Sequence, residues 1–194
     1  MAKYILGRRA QTRSEAIKYT VLIGCLLVLV AVLQVSLFGR FRLFGAVPDL
    51  MLCTLLCLAF FDGRYTGGLA GIAGGFLIEA LGGGAGGVYL LPLIYFLYGY
   101  LVGHYCRAVI PKRFASYSFY LFTALALRAT VTLLYACLTY ERIRLPYLFL
   151  QVLLPEAAGT LLIGCLWYFP MLLFCRLLRQ AQRKNRHRTQ GNFS

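Results

Sequence analysis

The sequence has little charge, and very little of it is negative. Only 13% of its 194 residues are charged and only six are acidic, and it has two histidines and one tryptophan. A typical soluble domain has about 25% charged residues. Hydrophobic residues make up 60% of the chain. This composition excludes an ordinary soluble domain and predicts an integral membrane protein.

Six apolar stretches approach or reach the length of about 20 residues that a helix needs to cross a bilayer. We therefore predict an all-α membrane protein, a six-transmembrane-helix bundle occupying residues 19–178. A basic segment, 1–18, precedes it, and a basic tail, 179–194, follows it and is predicted to be disordered. The six predicted spans are 19–39, 43–61, 66–85, 87–108, 115–139 and 148–175.

The basic residues indicate the orientation of the chain. With six crossings, fifteen of the twenty lysines and arginines fall on the side of the two termini and four on the other, with Arg128 left inside the fifth span. The positive-inside rule therefore places both termini in the cytoplasm. We expect the basic ends to bind anionic lipid headgroups. Nucleic acid is not expected as a partner, because no aromatic residues alternate with the basic residues of the tail.

Residue types that perform catalysis are scarce. His104 and His187 are the only histidines, which excludes a two-histidine haem in the membrane and argues against a multi-histidine metal site. The sequence has no GxSx context within a span and no phosphate-binding P-loop. The seven cysteines lie in or beside apolar spans, so Cys53 and Cys57 are interpreted as packing residues rather than metal ligands. We predict no enzymatic activity, no metal and no cofactor.

Glycine is concentrated in one place. Eleven of the twenty glycines lie between residues 63 and 87. On a helical wheel, five of them share an arc of about 120°, whereas Leu69, Phe76 and Leu77 point the other way. Small residues let helices approach closely in a bilayer. We therefore predict a helix-packing face formed by Gly67, Gly68, Gly71, Gly74 and Gly75.

Four ionisable residues remain within or at the ends of the predicted spans: Asp49, Glu79, Arg128 and Glu156. The predicted topology places all four in the outer half of the bundle. Because intramembrane charges usually pair with one another, Arg128 is expected to pair with Glu79 or Glu156. This intramembrane polar cluster is interpreted as a clasp that fixes helix register, in preference to a cavity for a ligand, a proton or a partner helix.

Two of these carboxylates follow prolines, which favour helix starts. Asp49 follows Pro48, so its carboxylate is expected at the positive end of the second helix. Glu156 follows Pro155 and has the same role if the last helix begins there. If that helix begins at 148 instead, Glu156 lies within the helix and has no such role. The sequence leaves both starts open.

The run LFGAVPDLMLCTLLCLAFFDGRYTGGLAGIAGGFLIEALGGGAGG resembles the MreD family of rod shape-determining proteins. The shared elements are Pro48-Asp49 at the start of the second span, Gly63-Arg64, a glycine-rich third helix, the carboxylate Glu79 and the turn at 82–87. The run LLPEAAGTLLIGCLWYFPMLLFCRLLR resembles the family's last helix. The family more often has aspartate where this chain has Glu79.

The resemblance implies a fold similar to the substrate-binding subunits of energy-coupling-factor transporters. It also implies a non-enzymatic scaffold of the cell-wall elongation machinery in the bacterial inner (plasma) membrane. Such a scaffold would bind an MreC-like protein and other wall-elongation proteins, and help couple cytoskeletal filaments to peptidoglycan synthesis. It implies structural or partner-contact roles for Pro48, Asp49 and Glu79.

Two alternatives belong to other functional classes. A vitamin-type transporter subunit would show an Ala-xxx-Ala docking face on its first helix, but the first span has only Ala31. An intramembrane enzyme would use Glu79 and His104, which the topology places toward opposite ends of adjacent helices and thus too far apart for direct proton transfer.

Overall fold

The computed structural model describes residues 2–38, 47–82, 90–108, 113–139 and 149–191, and these are almost entirely helical. A π-helical turn, Gln34–Phe38, extends α1, and another, Phe149–Leu153, leads into α6. The α-helices are α1 (Ala2–Leu33), α2 (Leu50–Asp62), α3 (Arg64–Gly82), α4 (Leu90–Ala108), α5 (Phe114–Thr139) and α6 (Leu154–Gly191).

The shortest helix, α2, is the centre of the molecule. Every residue from Leu50 to Phe61 is buried, and α2 contacts each of the other five helices. Its sequence, LMLCTLLCLAFF, is apolar on all sides, which is the pattern of a helix surrounded by others rather than one with a solvent or lipid face. The core of the protein therefore forms around α2.

Neighbouring helices run in alternating directions. The end of α1 meets the start of α2, where Gln34 Oε1 accepts a hydrogen bond of 2.7 Å from Met51 N. At the other end of α2, Asp62 accepts a hydrogen bond from Tyr19, which lies near the middle of α1. The helices α2 and α6 run parallel, because α6 contacts α2 at Asp49 and again at Thr54. The fold is an up-and-down helical bundle.

Three helical segments are long and apolar enough to cross a membrane: Ile17–Ser36, Phe114–Leu138 and Phe149–Leu177. They correspond to the first, fifth and sixth predicted spans. Leu50–Asp62 is a shorter apolar helix and begins seven residues later than the predicted span 43–61. The fold class of a helical membrane protein is thus confirmed, while six crossings stay a prediction.

Both ends of the chain are more helical than the sequence indicated. The structure continues α1 back to Ala2 and α6 forward to Gly191, so the tail predicted to be disordered is helical over 179–191. Arginine, lysine, glutamine and alanine are good helix formers, and no proline interrupts the tail. The last helix begins at Leu154, next to Pro155, and the π-helical turn forms its lead-in.

The predicted glycine face is a helix-packing surface. Gly67 lies against Ala59 of α2 and the backbone of Gly99 on α4, while Gly71 and Gly75 lie against the α4 backbone at Tyr95 and Pro92. The side chains of Met51 and Phe96 cover Gly74 and Gly68. Leu69 and Phe76 are exposed, as the helical wheel predicted, whereas Leu77 is partly buried against the core.

The matching surface on α4 was not predicted. Gly99 and Gly103 face α3 so closely that a Cβ on Gly103 would lie 2.5 Å from Arg64 Cα. Their spacing of four residues puts both on one face of α4. The signal was present in the sequence YGYLVGH, but two glycines among large side chains do not by themselves show which helix they contact.

Candidate functional site

The start of α2 is the centre of a cluster of ionised side chains, and Asp49 is its most buried member, with 2% of its side chain exposed. Asp49 is the N-cap of α2, and its Oδ1 accepts a hydrogen bond of 2.9 Å from Leu52 N. With Gln34 bound to Met51 N, two of the unpaired amides at this helix end are satisfied. The predicted role of Asp49 at the helix start is confirmed.

Arg128, near the middle of α5, joins two carboxylates. Its guanidinium forms an ion pair with Asp49 Oδ2, and its other terminal nitrogen lies 2.6 Å from Glu156 Oε1. Pairing with Glu156 was one of the two expected arrangements. Asp49 was not expected as a partner, and it is the deeper of the two. The cluster therefore links α2, α5 and α6.

Two neutral side chains complete the cluster. Tyr95 of α4 donates a hydrogen bond to Asp49 Oδ2, and Thr160 of α6 accepts one of 3.0 Å from Asp49 N. Both are buried. Sequence reasoning missed them because α4 is rich in tyrosine and α6 offers no reason to select one threonine. The cluster thus fixes the register of four helices at once.

The cluster is not fully enclosed. Arg128 and Glu156 keep 22% and 20% of their side chains exposed, so the edge between α5 and α6 reaches the surface of the bundle. The Glu156 carboxyl at this edge is paired with Arg128, and its exposed part can also accept a hydrogen bond from a donor of a neighbouring molecule.

Tyr98 borders the cluster from α4. It lies one turn after Tyr95 and is buried. Its hydroxyl has no hydrogen-bond partner among the described residues. Tyr98 is a residue of the site that no sequence pattern singled out among the many tyrosines.

Glu79 does not join the cluster, contrary to the expectation that all four ionisable residues would meet. It lies near the end of α3, where its Oε1 accepts a hydrogen bond of 3.1 Å from Leu91 N at the start of α4. A carboxylate there satisfies an unpaired amide and interacts favourably with the helix dipole. Its Oε2 is buried and has no partner within the described residues. Glu79 thus caps α4 and does not pair with Arg128.

The alternative catalytic pair is widely separated. Glu79 contacts the first turn of α4, whereas His104 lies in its last turns. The thirteen helical steps from Leu91 to His104 correspond to about 20 Å along the helix. This is far beyond the reach of direct proton transfer.

No group of three metal-binding side chains occurs in the described part of the chain. Cys53 and Cys57 are both buried in α2, and the Cys53 thiol donates to Thr160 O at 3.6 Å. Such contacts are those of packing residues. Residues 39–46, 83–89 and 140–148 lie outside the described residues, as do the side chains of residues 1–16 and 178–194.

The site has to be interpreted from its own geometry, because no protein-family model, no curated protein and no solved structure matches the chain.

Proposed function

We propose that this protein is a non-enzymatic scaffold of the bacterial rod-shape and wall-elongation machinery. It would cross the inner membrane six times with both termini in the cytoplasm, in the manner of MreD. Its partners would be an MreC-like protein and other wall-elongation proteins. The proposal combines the sequence resemblance around Pro48-Asp49 and Glu79 with the geometry of the ion cluster.

The observation that supports the proposal most is how the intramembrane charges are used. Asp49, Arg128 and Glu156 bind one another across three helices, and Glu79 caps a helix. These groups therefore hold the bundle together. A rigid bundle with a partly exposed, charged edge is suited to binding a partner helix, because polar groups contribute to helix association in membranes.

The alternating helix directions support six crossings. The helices α2, α3 and α4 follow one another antiparallel within the same bundle as the three longer apolar helices, so each has the placement of a membrane helix. At 13 residues α2 measures about 20 Å, shorter than the hydrocarbon core of about 30 Å. Its complete burial among other helices makes this length tolerable.

The transporter alternative receives no support from α1. The only alanine of the first span, Ala31, is fully buried in the core. It therefore cannot form an exposed docking face for an energising module.

The test is affinity purification of the tagged protein from its native membrane in mild detergent, with the co-purifying proteins identified by mass spectrometry. A six-helix membrane protein of unrelated function, tagged and expressed identically, is the control. We expect an MreC-like protein and wall-synthesis enzymes to be enriched over the control. Enrichment of ATPase subunits with a membrane coupling protein would instead establish a transporter.

A substitution at Glu156 tests whether the ion cluster contributes to partner binding in this purification. Glu156→Gln retains the side-chain shape but removes the charge at the exposed edge. We expect this substitution to reduce recovery of the partner while the protein remains folded and monodisperse. The control substitution Thr130→Val changes an exposed polar residue of α5 whose hydroxyl donates only to the carbonyl of Ala126, one turn earlier, and should leave recovery unchanged.

A further inference from the structure

A second polar cluster lies at the opposite end of α4 from the Asp49 site. Arg64, the first residue of α3, places its guanidinium 3.4 Å from His104 Nδ1 and 2.9 Å from the Tyr65 hydroxyl. The guanidinium also lies over the Tyr65 ring, 4.8 Å from its centre, and 6.0 Å from that of Tyr100. None of these contacts is to a carboxylate. In these contacts Arg64 therefore keeps a positive charge that no carboxylate neutralises.

The hydrogen bond between Arg64 and His104 leaves both side chains with N–H groups that can donate to a further partner. A guanidinium has no acceptor, so in the Arg64–His104 hydrogen bond the imidazole Nδ1 accepts. When Nδ1 accepts, the other ring nitrogen of His104, Nε2, carries a proton and is a donor. Arg64 has further N–H groups on its terminal nitrogens, whereas its Nε is buried and has no partner within the described part of the chain. A group of donors around one positive charge is complementary to an oxyanion.

The backbone fixes this arrangement. Gly63 has a φ of 102°, a left-handed conformation that favours glycine, and it turns the chain from α2 into α3. Because Gly103 has no side chain, the backbone of Arg64 lies directly against α4 at this position. Arg64 is thereby placed beside His104, which follows Gly103 in the chain. The ring of His104 is in turn stacked on Tyr100, with an angle of 6° between their planes. The two donors are therefore held in place before any ligand arrives.

An exposed apolar face continues from the cluster along α3. Tyr65, Leu69, Ile72 and Phe76 are all exposed, and their spacing of four, three and four residues puts them on one side of the helix. From Tyr65 to Phe76 the stripe measures about 16 Å. This is about half of the ~30 Å hydrocarbon core, the depth of one leaflet.

We propose that Arg64 and His104 bind the phosphate group of a membrane phospholipid, with one acyl chain lying along the apolar stripe of α3. The phosphate alone could also come from a free anion, but only a lipid matches both the donors and the stripe in one molecule. On the proposed topology this is the cytoplasmic leaflet. The inference requires membrane insertion but does not depend on the scaffold function or its partners.

The test measures binding of three probes to purified, delipidated full-length protein in neutral detergent, by native mass spectrometry and thermal stabilisation. The probes are phosphatidylglycerol, diacylglycerol with the same acyl chains, and inorganic phosphate. We expect phosphatidylglycerol to bind and stabilise, and the other two to bind much more weakly. Equal binding of diacylglycerol would show that the phosphate is not recognised, and equal stabilisation by inorganic phosphate would overturn the assignment to a lipid.

Variants locate the site. Arg64→Gln should weaken phosphatidylglycerol binding by roughly tenfold or more, because charge-assisted hydrogen bonds are among the strong ones. His104→Phe keeps the stacked ring but removes the donor, so it should also weaken phosphatidylglycerol binding. This variant still tests the site if Arg64→Gln fails to fold. Arg113→Gln, at an exposed basic residue before α5, is the matched control and should bind as wild type does. Equal losses in the control and Arg64→Gln would mean general charge attraction and would overturn the site.

Discussion

The close contact between α3 and α4 makes a quantitative prediction about one methyl group. In Gly71→Ala, the new Cβ would lie 2.5 Å from the carbonyl carbon of Tyr95 and 2.8 Å from Phe96 N. Carbon atoms in contact are normally about 3.5–4.0 Å apart. Because the obstructing atoms are backbone, no side-chain rotation can relieve the clash, and the two helices must separate by roughly 1 Å to restore that distance.

The size of the effect follows from two opposing terms. Overpacking of a well-packed core costs typically about 1–3 kcal/mol. Replacing glycine by alanine inside a helix contributes up to about 1 kcal/mol in the other direction. The chain offers a control with only the second term, because a Cβ added to Gly24 of α1 would meet nothing within 4 Å. The difference between Gly71→Ala and Gly24→Ala should therefore report the overpacking term, about 2 kcal/mol.

The assay is reversible unfolding in mixed detergent micelles, followed by helical circular dichroism. We expect Gly24→Ala to be neutral or slightly stabilising and Gly71→Ala to be clearly destabilising. Gly74→Ala should lie between them, because the atom it meets is the flexible Met51 thioether. Equal unfolding free energies for Gly71→Ala and Gly24→Ala would refute the backbone contact and with it the packing of α3 on α4.

Three further predictions use the same unfolding assay. Arg128→Leu leaves two carboxylates without their cation and should lower the unfolding free energy by about 3–5 kcal/mol. Glu79→Gln keeps an acceptor for the first turn of α4 and should lower it by only about 0.3–1 kcal/mol. Equal losses of stability in the two variants would contradict the ion cluster. Asp49→Asn keeps a side-chain oxygen that can cap α2 but removes the negative charge. It should therefore lower the unfolding free energy by about 1.5–3 kcal/mol, less than Arg128→Leu does. A loss larger than that of Arg128→Leu would show that the asparagine does not cap the helix. Thr54→Val removes the hydroxyl that accepts from Trp167 at 2.9 Å, so it should cost about 1–3 kcal/mol and shift the emission of this single tryptophan to shorter wavelength; unchanged emission would argue against that hydrogen bond.

The features that depended on local pattern could be predicted from the sequence. Long apolar runs indicated membrane helices because each run must satisfy its backbone hydrogen bonds internally. The glycine arc on α3 could be recognised because helical geometry alone decides which residues share a face. The cap at Asp49 was also correct, since Pro48 and the following apolar run mark a helix start. Each of these inferences needed only residues within a few turns of one another.

The features that depended on distant contacts could not be predicted. Arg128 was expected to pair with Glu79 or Glu156, and the sequence contains no information on which helix ends converge at its depth. Glu79 resembled the others in type, yet the hairpin between α3 and α4 directs it to Leu91 N. Tyr95 and Thr160 were two polar residues among many, and they became part of the site only because α4 and α6 both pack against the start of α2.

By itself the sequence determined that this chain is helical, that it belongs in a membrane, which face of α3 carries its glycines, and that Asp49 stands at a helix start. These properties follow from composition and from periodicity along single helices. Only the tertiary structure decided that α2 is central, that Arg128 joins Asp49 to Glu156, and that Arg64 meets His104. Such choices rest on the relative placement of helices, which packing between large numbers of side chains determines jointly and which no short stretch of sequence specifies.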